Sequence, residues 1–447
     1  MTTEPKSTGN DRGSATQFMF SKTGTGLLKE VKKKKISDAD EAVRTAYPGM
    51  RCGDGFIEYA NRQLEGLSRF SAIVIGLDSV EEGDVPAEPS GADEGQVDVA
   101  DLLDRLCRKA SGWWGQLETG LFAGCLPSKS NPDSLELARE FQKRLLGKDA
   151  KSVTIGVASF PSLEFKTTEV IGNARKAYDH ATFFGANSLA AFDDVSLNIS
   201  GDKFYEEGDL VAAITEYKLA LELETDNVNV HNSLGVCYGL QGHYDEAIAE
   251  FKAAMALDPA EHMALYNLGM VHLLIDQRES ALEYFLEADK IDHDTYEVAF
   301  QIGKLYLESD DSEKSGPYLE RAAKLAPQSS QVFRHLGDCY AADCKPEQAI
   351  TAYKKAIKHN PHDAAALSAL GRLFEDQGEN PEIALIFLRE SVSIAPENGL
   401  FHHRLGRHYS NQRRLDEALE EFEKAQNLGH DSADNIKAVK ERKKVEE

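Results

Sequence analysis

Residues 228–261, VNVHNSLGVCYGLQGHYDEAIAEFKAAMALDPAE, contain the pattern that decides the fold. Gly235 stands in the first half of this stretch, Ala247 in the second half and Pro259 near its end. Residues 262–295, HMALYNLGMVHLLIDQRESALEYFLEADKIDHDT, repeat the glycine and the alanine at the same positions. Two similar stretches in succession indicate an internal repeat.

Outward from these stretches the glycine recurs at an almost constant spacing. Successive glycines are 34 residues apart, except that the last follows after 35: Gly201, Gly235, Gly269, Gly303, Gly337, Gly371 and Gly406. An aromatic residue or a histidine stands three residues after each glycine: Phe204, Tyr238, His272, Tyr306, Tyr340, Phe374 and Tyr409. A period of this length indicates a protein built from stacked supersecondary units.

Each period has room for two helices of about a dozen residues. Small residues at fixed positions let the two helices approach closely, and proline ends the second helix. The pattern resembles the tetratricopeptide repeat and covers residues 194–432, for which we predict an all-α superhelix with a groove. One inserted residue at 379–381 explains the single longer step. Residues 433–447 are predicted to form a helix that caps the last repeat.

In the tetratricopeptide family the first helix of each repeat lines the groove, so the resemblance implies which side chains contact a partner. Residues 194–432 contain 21 basic and 43 acidic side chains, so a basic part of the groove runs against the local charge. By register, the second and third repeats offer an amide-bearing and apolar section, made of Asn229, Asn232, Met263, Tyr266 and Met270. The fifth to seventh repeats offer a basic section, made of Arg334, Arg372, His403 and Arg407.

Guanidinium groups match carboxylates, so the predicted ligand is an extended or helical segment of another protein that bears acidic groups. An alternative is that the arginines form ion pairs with Asp338, Glu375 and Asp376 on neighbouring turns. The lysines and asparagines with which chaperone-binding repeat proteins hold carboxylates are not found as a set, so a chaperone tail is not the predicted ligand.

The N-terminal half has a different pattern. Residues 1–46 are predicted to be a flexible N-terminal segment, of which the first twenty residues have little apolar content, with order beginning near Asp38. Residues 47–192 alternate between strand and helix patterns, which predicts an α/β or α+β sandwich. The predicted strands are Ser71–Leu77, Gly120–Leu126 and Ser152–Ser159, and the predicted helices are Val97–Ala110, Leu135–Leu146 and Thr168–Phe184, with a loop from Val85 to Gln96.

Two segments of this region resemble GGDEF domains, the diguanylate cyclase fold. SVTIGVASFPS at residues 152–162 resembles a late strand of that family, and ARKAYDHATFFGANSLAAF at residues 174–192 resembles its final helix and closing strand. In register, residues 73–80 match the first strand and residues 117–127 match the hairpin that carries the family's acidic motif.

The resemblance implies a site in which carboxylates hold two magnesium ions against a triphosphate. The positions that carry this chemistry in the family have changed here, although Asp78 on the first strand remains. We therefore predict a degenerate domain without cyclase activity, with a nucleotide retained as a candidate ligand. The changed positions, in the metal site, the acidic motif, the guanine contact and the final helix, are Gly76, Gly120, Leu121, Asp84, Val85 and Thr182.

Composition argues against several classes of function. The formal net charge is −25, which argues against affinity for nucleic acid or anionic membranes. The six cysteines include no CxxC pair and fit no zinc site, so no metal or cofactor is expected. Scattered thiols and the lack of an apolar export segment favour a cytoplasmic protein without membrane insertion.

Three functions remain open from the sequence. The leading interpretation is a non-enzymatic scaffold in bacterial signalling, in which the repeats dock a protein and the GGDEF-like domain senses a nucleotide or dimerises. The second is an active or weakly active diguanylate cyclase. The third is an adaptor for assembly or secretion, in which the N-terminal domain serves as a structural cap.

Overall fold

The computed structural model describes residues 38–78, 90–147, 151–378 and 381–446. Residues Glu379 and Asn380 of the predicted insertion lie outside the described residues, as do the positions Asp84 and Val85. The chain divides into two compact units, one up to Val271 and one from His272. No helix among the described ranges is both long enough and apolar enough to cross a bilayer.

An α/β region precedes the repeats, and its core is one five-stranded sheet. The strands run in the order β2-β3-β1-β4-β5, with β1 antiparallel to both β3 and β4, and β4 parallel to β5. The elements are α1 Asp38–Ala46, α2 Gly53–Leu64, β1 Phe70–Leu77, α3 Ser90–Lys109, β2 Trp113–Glu118, β3 Leu121–Pro127, α4 Asn131–Leu146, β4 Val153–Phe160, α5 Val170–Thr182 and β5 Leu189–Ala191.

Helices cover both faces of the sheet, and successive side chains of β1 belong in turn to the two cores on these faces. Ile73 and Ile75 belong to a core that also contains residues of α3 and α4. Ala72 and Val74 belong to a second core, with residues of α2 and α5. A strand buried on both faces reads as a continuous apolar run, as the sequence AIVIGL does.

The α/β fold predicted for this region is confirmed, with corrections to its elements. Residues 38–46, the end of the segment predicted to be flexible, form α1, which begins at Asp38 where order was expected to start, and Val43 is fully buried in the core. The predicted loop at 85–96 is wrong from Ser90 onward, where α3 begins. The sequence analysis assigned neither helix α2 nor strand β2.

Seven helix pairs follow, as the glycine spacing predicts. The first helix of each pair contains the recurrent glycine, and the prolines at 259, 327, 361 and 396 follow the ends of second helices. The pairs are α6 Asp194–Glu206 with α7 Leu210–Leu223, α8 Val228–Leu240 with α9 Tyr244–Leu257, α10 His262–Leu274 with α11 Arg278–Ile291, α12 Tyr296–Glu308 with α13 Ser312–Leu325, α14 Ser330–Ala342 with α15 Pro346–His359, α16 Ala364–Asp376 with α17 Pro381–Ile394, and α18 Gly399–Asn411 with α19 Leu415–Asn427.

The recurrent glycine is the point of closest approach within a pair. A Cβ added at Gly337 would lie 2.7 Å from the ring of Tyr353 on the second helix. The Tyr353 hydroxyl donates a hydrogen bond to Asp338 Oδ1 at 2.6 Å, so the ring is fixed at both ends. Small residues at this position therefore set the distance between the two helices.

The first repeat shares a core with the α/β region. Phe165, Leu197 and Tyr217 belong to one buried cluster, against which Phe192 packs. Phe165 and Phe192 are in edge contact, with ring centroids 5.5 Å apart. Across the same boundary, Lys176 Nζ of α5 lies 2.7 Å from Glu216 Oε2 of α7. The sheet and the first repeat are therefore packed together as one body.

At the other end, α20 (Ala433–Glu446) covers the last repeat. Val439 is buried in a cluster with Leu405 and Phe422, and Ile436 packs against the same cluster. Val445, near the end of the helix, is exposed. The capping role expected for the C-terminal segment therefore rests on Ile436 and Val439.

Candidate functional site

The predicted amide-bearing and apolar section is less open than register alone suggests. Asn232 and Tyr266 are each 4% exposed, so neither is presented to a partner. Asn267 Nδ2 donates a hydrogen bond to Asn232 Oδ1 at 2.9 Å, which joins the first helices of adjacent repeats. Register identifies the face of a helix but not how closely the next helix covers it, which is why both residues were misassigned as accessible.

Three residues of this section remain available. Asn229 is exposed on the first turns of α8, and Met263 and Met270 are partly exposed on α10. Their thioether and amide groups form a small accessible surface around the buried pair of Asn232 and Asn267.

Arg407, in the predicted basic section, is engaged by acidic side chains. Its Nη2 atom lies 3.0 Å from Glu375 Oε2 and 2.9 Å from Asp376 Oδ1. Its Nε atom also donates to Glu375 Oε2, at 3.2 Å. Asn411 Nδ2 donates to the other oxygen of Glu375 at 2.6 Å. The alternative role proposed from the sequence, an ion pair with Glu375 and Asp376, applies to this arginine.

Arg334 is also paired, but not with the residue named from the sequence. Its Nε lies 3.4 Å from Asp363 Oδ2, while Asp338 accepts the Tyr353 hydroxyl. Asp363 also caps α16 by accepting a hydrogen bond from the backbone N–H of Ala366 at 3.1 Å. The charge of Arg334 is therefore partly balanced within the repeat array.

His403 faces the C-terminal segment. Its Nδ1 lies 2.8 Å from Ser432 Oγ, and its ring is in contact with those of Phe422 and His430. Burial, followed by the nearby charge of His430, lowers the pKa of His403. The residue helps to hold the end of the chain, and its assignment to the basic section of the groove stays a prediction.

Arg372 differs from the other predicted arginines. Its Nε atom is buried and has no hydrogen-bond partner among the described residues. No ion pair of Arg372 occurs within the described ranges either. A buried donor left unpaired costs about 1–3 kcal/mol, so a ligand oxygen at this position would remove a penalty as well as add a bond.

Arg404, which sequence register did not select, lies near Arg372. Its Nη1 donates to Ser368 Oγ at 3.0 Å, and it too forms no ion pair in the described part of the chain. Burial, and then the neighbouring Arg372 charge, lower the pKa of Arg404 to about 10. The two neighbouring guanidinium groups are positively charged, and the hydrogen-bond partner of Arg404 is a neutral hydroxyl, so the two groups are suited to bind an anion. We call Arg372, Arg404 and Ser368 the arginine pair site.

In the α/β region, the cleft that the family resemblance points to is filled by the protein itself. A Cβ added at Gly76 would lie 2.3 Å from the Tyr178 hydroxyl, so the ring occupies the space above this position. Glu118 is in an ion pair with Arg175 at 2.9 Å. Asp78, the acidic residue retained after β1, is also engaged, by two hydrogen bonds.

Asp78 ties together two loops and a strand. Its Oδ1 accepts a hydrogen bond from Thr154 Oγ1 at 2.6 Å, and its Oδ2 accepts one from the Asn187 backbone N–H at 2.7 Å. Asn187 has a φ of +60°, so this bond supports an uncommon backbone conformation. Within the described residues no group of three or more histidine, cysteine or acidic side chains is arranged to hold a metal ion.

Family comparisons agree with the helix pairs. Residues 201–242 match a model described as TPR repeat, and residues 228–261, 264–295, 296–329, 345–399 and 401–428 match models described as tetratricopeptide repeat. These matches all lie within the predicted range of 194–432. No curated protein has a significantly similar sequence.

Parts of the chain are similar to several solved structures. YrrB, described as a TPR protein with an unusual peptide-binding site, is 20% identical, with 42% of this chain and 96% of that chain covered and a TM-score of 0.39. A tetratricopeptide repeat protein from Parabacteroides merdae is 17% identical, with coverage of 55% and 96% and a TM-score of 0.40. PilF from Pseudomonas aeruginosa is 18% identical, with coverage of 45% and 92% and a TM-score of 0.42.

Tetratricopeptide repeats generally mediate protein–protein interaction, and nothing in these comparisons points to catalysis. The glycine spacing, the seven helix pairs and the family matches agree on the same part of the chain. The helical array that follows the α/β region therefore consists of tetratricopeptide repeats.

Proposed function

We propose that this protein is a non-enzymatic scaffold whose repeats dock an acidic segment of another protein, with the arginine pair site as the anchoring point. The single observation that carries the proposal is the unpaired, buried Nε of Arg372 beside the partly desolvated Arg404. In a chain with a net charge of −25, neither cation forms an ion pair among the described residues, although the charge of Asp338 acts on Arg404 at longer range, and a ligand that supplies a carboxylate best explains the pair.

The α/β region, in this proposal, is a degenerate GGDEF-like domain that takes no part in nucleotide cyclisation. Tyr178 supports this part of the proposal, because its hydroxyl stands where a side chain at position 76 would point. The pairing of Glu118 and the two hydrogen bonds to Asp78 support it further. The signalling role and the cytoplasmic location expected from the sequence belong to the same proposal.

The test compares the partners that co-purify with the full chain and with an Arg372→Gln/Arg404→Gln variant. Glutamine removes the charge while it keeps a hydrogen-bond donor in place. Proteins that co-purify with the wild type should be depleted by about tenfold or more, which corresponds to about 1.4 kcal/mol of binding free energy. Their affinity should also fall as salt is added.

Arg413→Gln is the matched control, because Arg413 is an exposed arginine in the turn between α18 and α19 and has no ion pair among the described residues. Its substitution removes one charge and should leave the recovered proteins unchanged. Equal recovery of the same proteins with the double variant and the wild type, at low salt, would refute the anchoring role. Circular dichroism of both variants establishes that the helices are retained.

A further inference from the structure

The second unit contains a cavity away from the arginine pair site. It has a volume of about 510 Å³ and lies between α13, α14 and α15, the second helices of two successive repeats and the first helix between them. Pockets of this size are in the range that holds ligands or anchoring side chains. No role was assigned to this cavity by the repeat pattern.

The base of the cavity is apolar. Phe333 and Leu336 of α14 line it, and each is only 6% exposed. The His359 ring stacks on Phe333, with centroids 5.9 Å apart and planes inclined by 19°. Tyr340 completes the base, and its hydroxyl donates to Glu320 Oε1 at 2.8 Å. The accessible apolar surface of the cavity therefore comes from Tyr340 together with Ala323 and Pro327, and it can contact one large apolar side chain.

The rim of the cavity is basic. Lys324 comes from α13, and Lys355 and Lys358 come from α15. All three are exposed, and none forms an ion pair with any described residue. Glu320 is the single acidic residue among the described lining residues, and the Tyr340 hydroxyl already donates to it.

The rim lysines belong to a basic stretch of the array. Helix α15 carries three lysines and one acidic residue, Glu347, in a chain that is otherwise strongly acidic. Lys324 and Lys358 occupy the same position in successive repeats, so one ammonium group stands on each side of the cavity. The Lys355 ammonium lies 5.1 Å from the centroid of Phe333, above the apolar base.

We propose that this lysine-rimmed cavity is a second docking site, which takes an acidic segment of a partner protein with one large apolar side chain placed against Tyr340, Ala323 and Pro327. Carboxylates on both sides of that side chain pair with Lys324, Lys355 and Lys358. An acidic peptide fits better than a small flat ligand, because the Phe333 ring is already stacked by His359 and contacted by Lys355. The site does not depend on the arginine pair site, which lies on other helices.

The test uses the full chain and three fluorescein-labelled peptides. The probe is EEGEFEGEE, and its controls are QQGQFQGQQ, which lacks the carboxylates, and EEGESEGEE, which lacks the aromatic ring. Fluorescence anisotropy should give a Kd for the probe about tenfold lower than for either control at roughly 50 mM salt, and weaker binding at roughly 300 mM salt.

A Lys355→Glu/Lys358→Glu variant should raise the Kd of the probe by about tenfold or more, because charges across the interface become repulsive. Lys290→Glu is the matched control, since Lys290 is exposed at the equivalent position of the third repeat and does not line the cavity. Exposed lysines contribute little to stability, so both variants should fold as the wild type does.

Three results would overturn the second site. The probe binds the lysine variant as tightly as the wild type, the neutral peptide binds as tightly as the probe, or only Arg372→Gln/Arg404→Gln weakens the probe. The last result would assign the acidic peptide to the arginine pair site and would leave the proposed function standing. Loss of binding in the lysine variant alone supports the second site, whatever the co-purification experiment gives.

Discussion

Replacing a helix glycine by alanine should have opposite effects on stability at two positions. At Gly337 the new Cβ would lie 2.7 Å from two ring carbons of Tyr353, where an ordinary contact is at least about 3.4 Å. Tyr353 is 1% exposed, and its hydroxyl is bonded to Asp338, so the ring has no free space into which to move. At Gly172, an exposed residue within α5, the new Cβ would have no other heavy atom within 4 Å beyond its own helix backbone and chain neighbours.

The magnitudes follow from these contacts. Alanine is favoured over glycine inside a helix by about 1 kcal/mol, and this gain applies at both positions. Overpacking costs about 1–3 kcal/mol, and a strained hydrogen bond to a charged group adds to that cost at Gly337 alone. We therefore expect Gly337→Ala to lower the free energy of unfolding by about 1–2 kcal/mol, and Gly172→Ala to raise it by about 0.5–1 kcal/mol.

Urea titration of the full chain, followed by circular dichroism at a helix wavelength, measures both changes against the wild type. The comparison holds the substitution constant and varies only its surroundings. Two results would refute this prediction: Gly337→Ala is as stable as the wild type, or Gly172→Ala is the less stable of the two variants. Either outcome would mean that the recurrent glycine does not set the helix distance.

Three further predictions concern other parts of the chain. The hydrogen bond to Glu250 raises the pKa of His231, so its stabilising effect is full below the unfolded pKa of about 6.5 and is lost as pH rises through the higher folded pKa. His231→Gln should therefore flatten the pH dependence of the melting temperature between about pH 5 and 8. Gly76→Asp should yield no cyclic dinucleotide from GTP with magnesium or manganese, and should destabilise the protein by about 1–3 kcal/mol, because Tyr178 fills the space; product above a blank would contradict this. Val439→Ala should lower the unfolding free energy by about 1–3 kcal/mol in a urea titration, and an unchanged midpoint would show that α20 is not a cap.

The repeat array was predictable because one physical requirement recurs along the chain. Each helix pair needs a small residue at its closest approach, so Gly337 and its equivalents mark every first helix, and proline marks the ends of several second helices. Strands β1 and β4 were predictable because burial on both faces leaves an unbroken apolar run. Neither inference needs knowledge of distant contacts.

Elements without such a local mark were missed. Helix α2 begins with GDG, which favours turns, and it is stabilised by Phe56, Ala60 and Leu64 packing on the sheet. Strand β2 contains two tryptophans and a glycine without alternation, and it forms because it pairs with β3. Both depend on tertiary contacts that override local preference.

Register selects the helix that carries each candidate residue, but it does not give the partners of the side chain. Register placed Arg372 on the first helix of its repeat, but it also selected Arg407, whose charge is balanced by Glu375 and Asp376. Arg404 was passed over because it lies one position away from the register chosen for the groove. Which arginine remains unpaired depends on side chains from neighbouring repeats, and a one-dimensional pattern does not contain that information.

The core shared by the α/β region and the first repeat affects how the chain can be divided. The sequence pattern changes near residue 193, and a fragment designed on that basis would begin with α6. Such a fragment would expose Leu197 and Tyr217, which Phe165 and Phe192 help to cover, and would leave Glu216 without Lys176. A fragment that includes the first repeat and keeps its core covered has to contain the whole α/β region, from α1 onward. The α/β region thus caps the repeat array at its N-terminal end, because it covers apolar side chains of the first repeat that would otherwise face solvent.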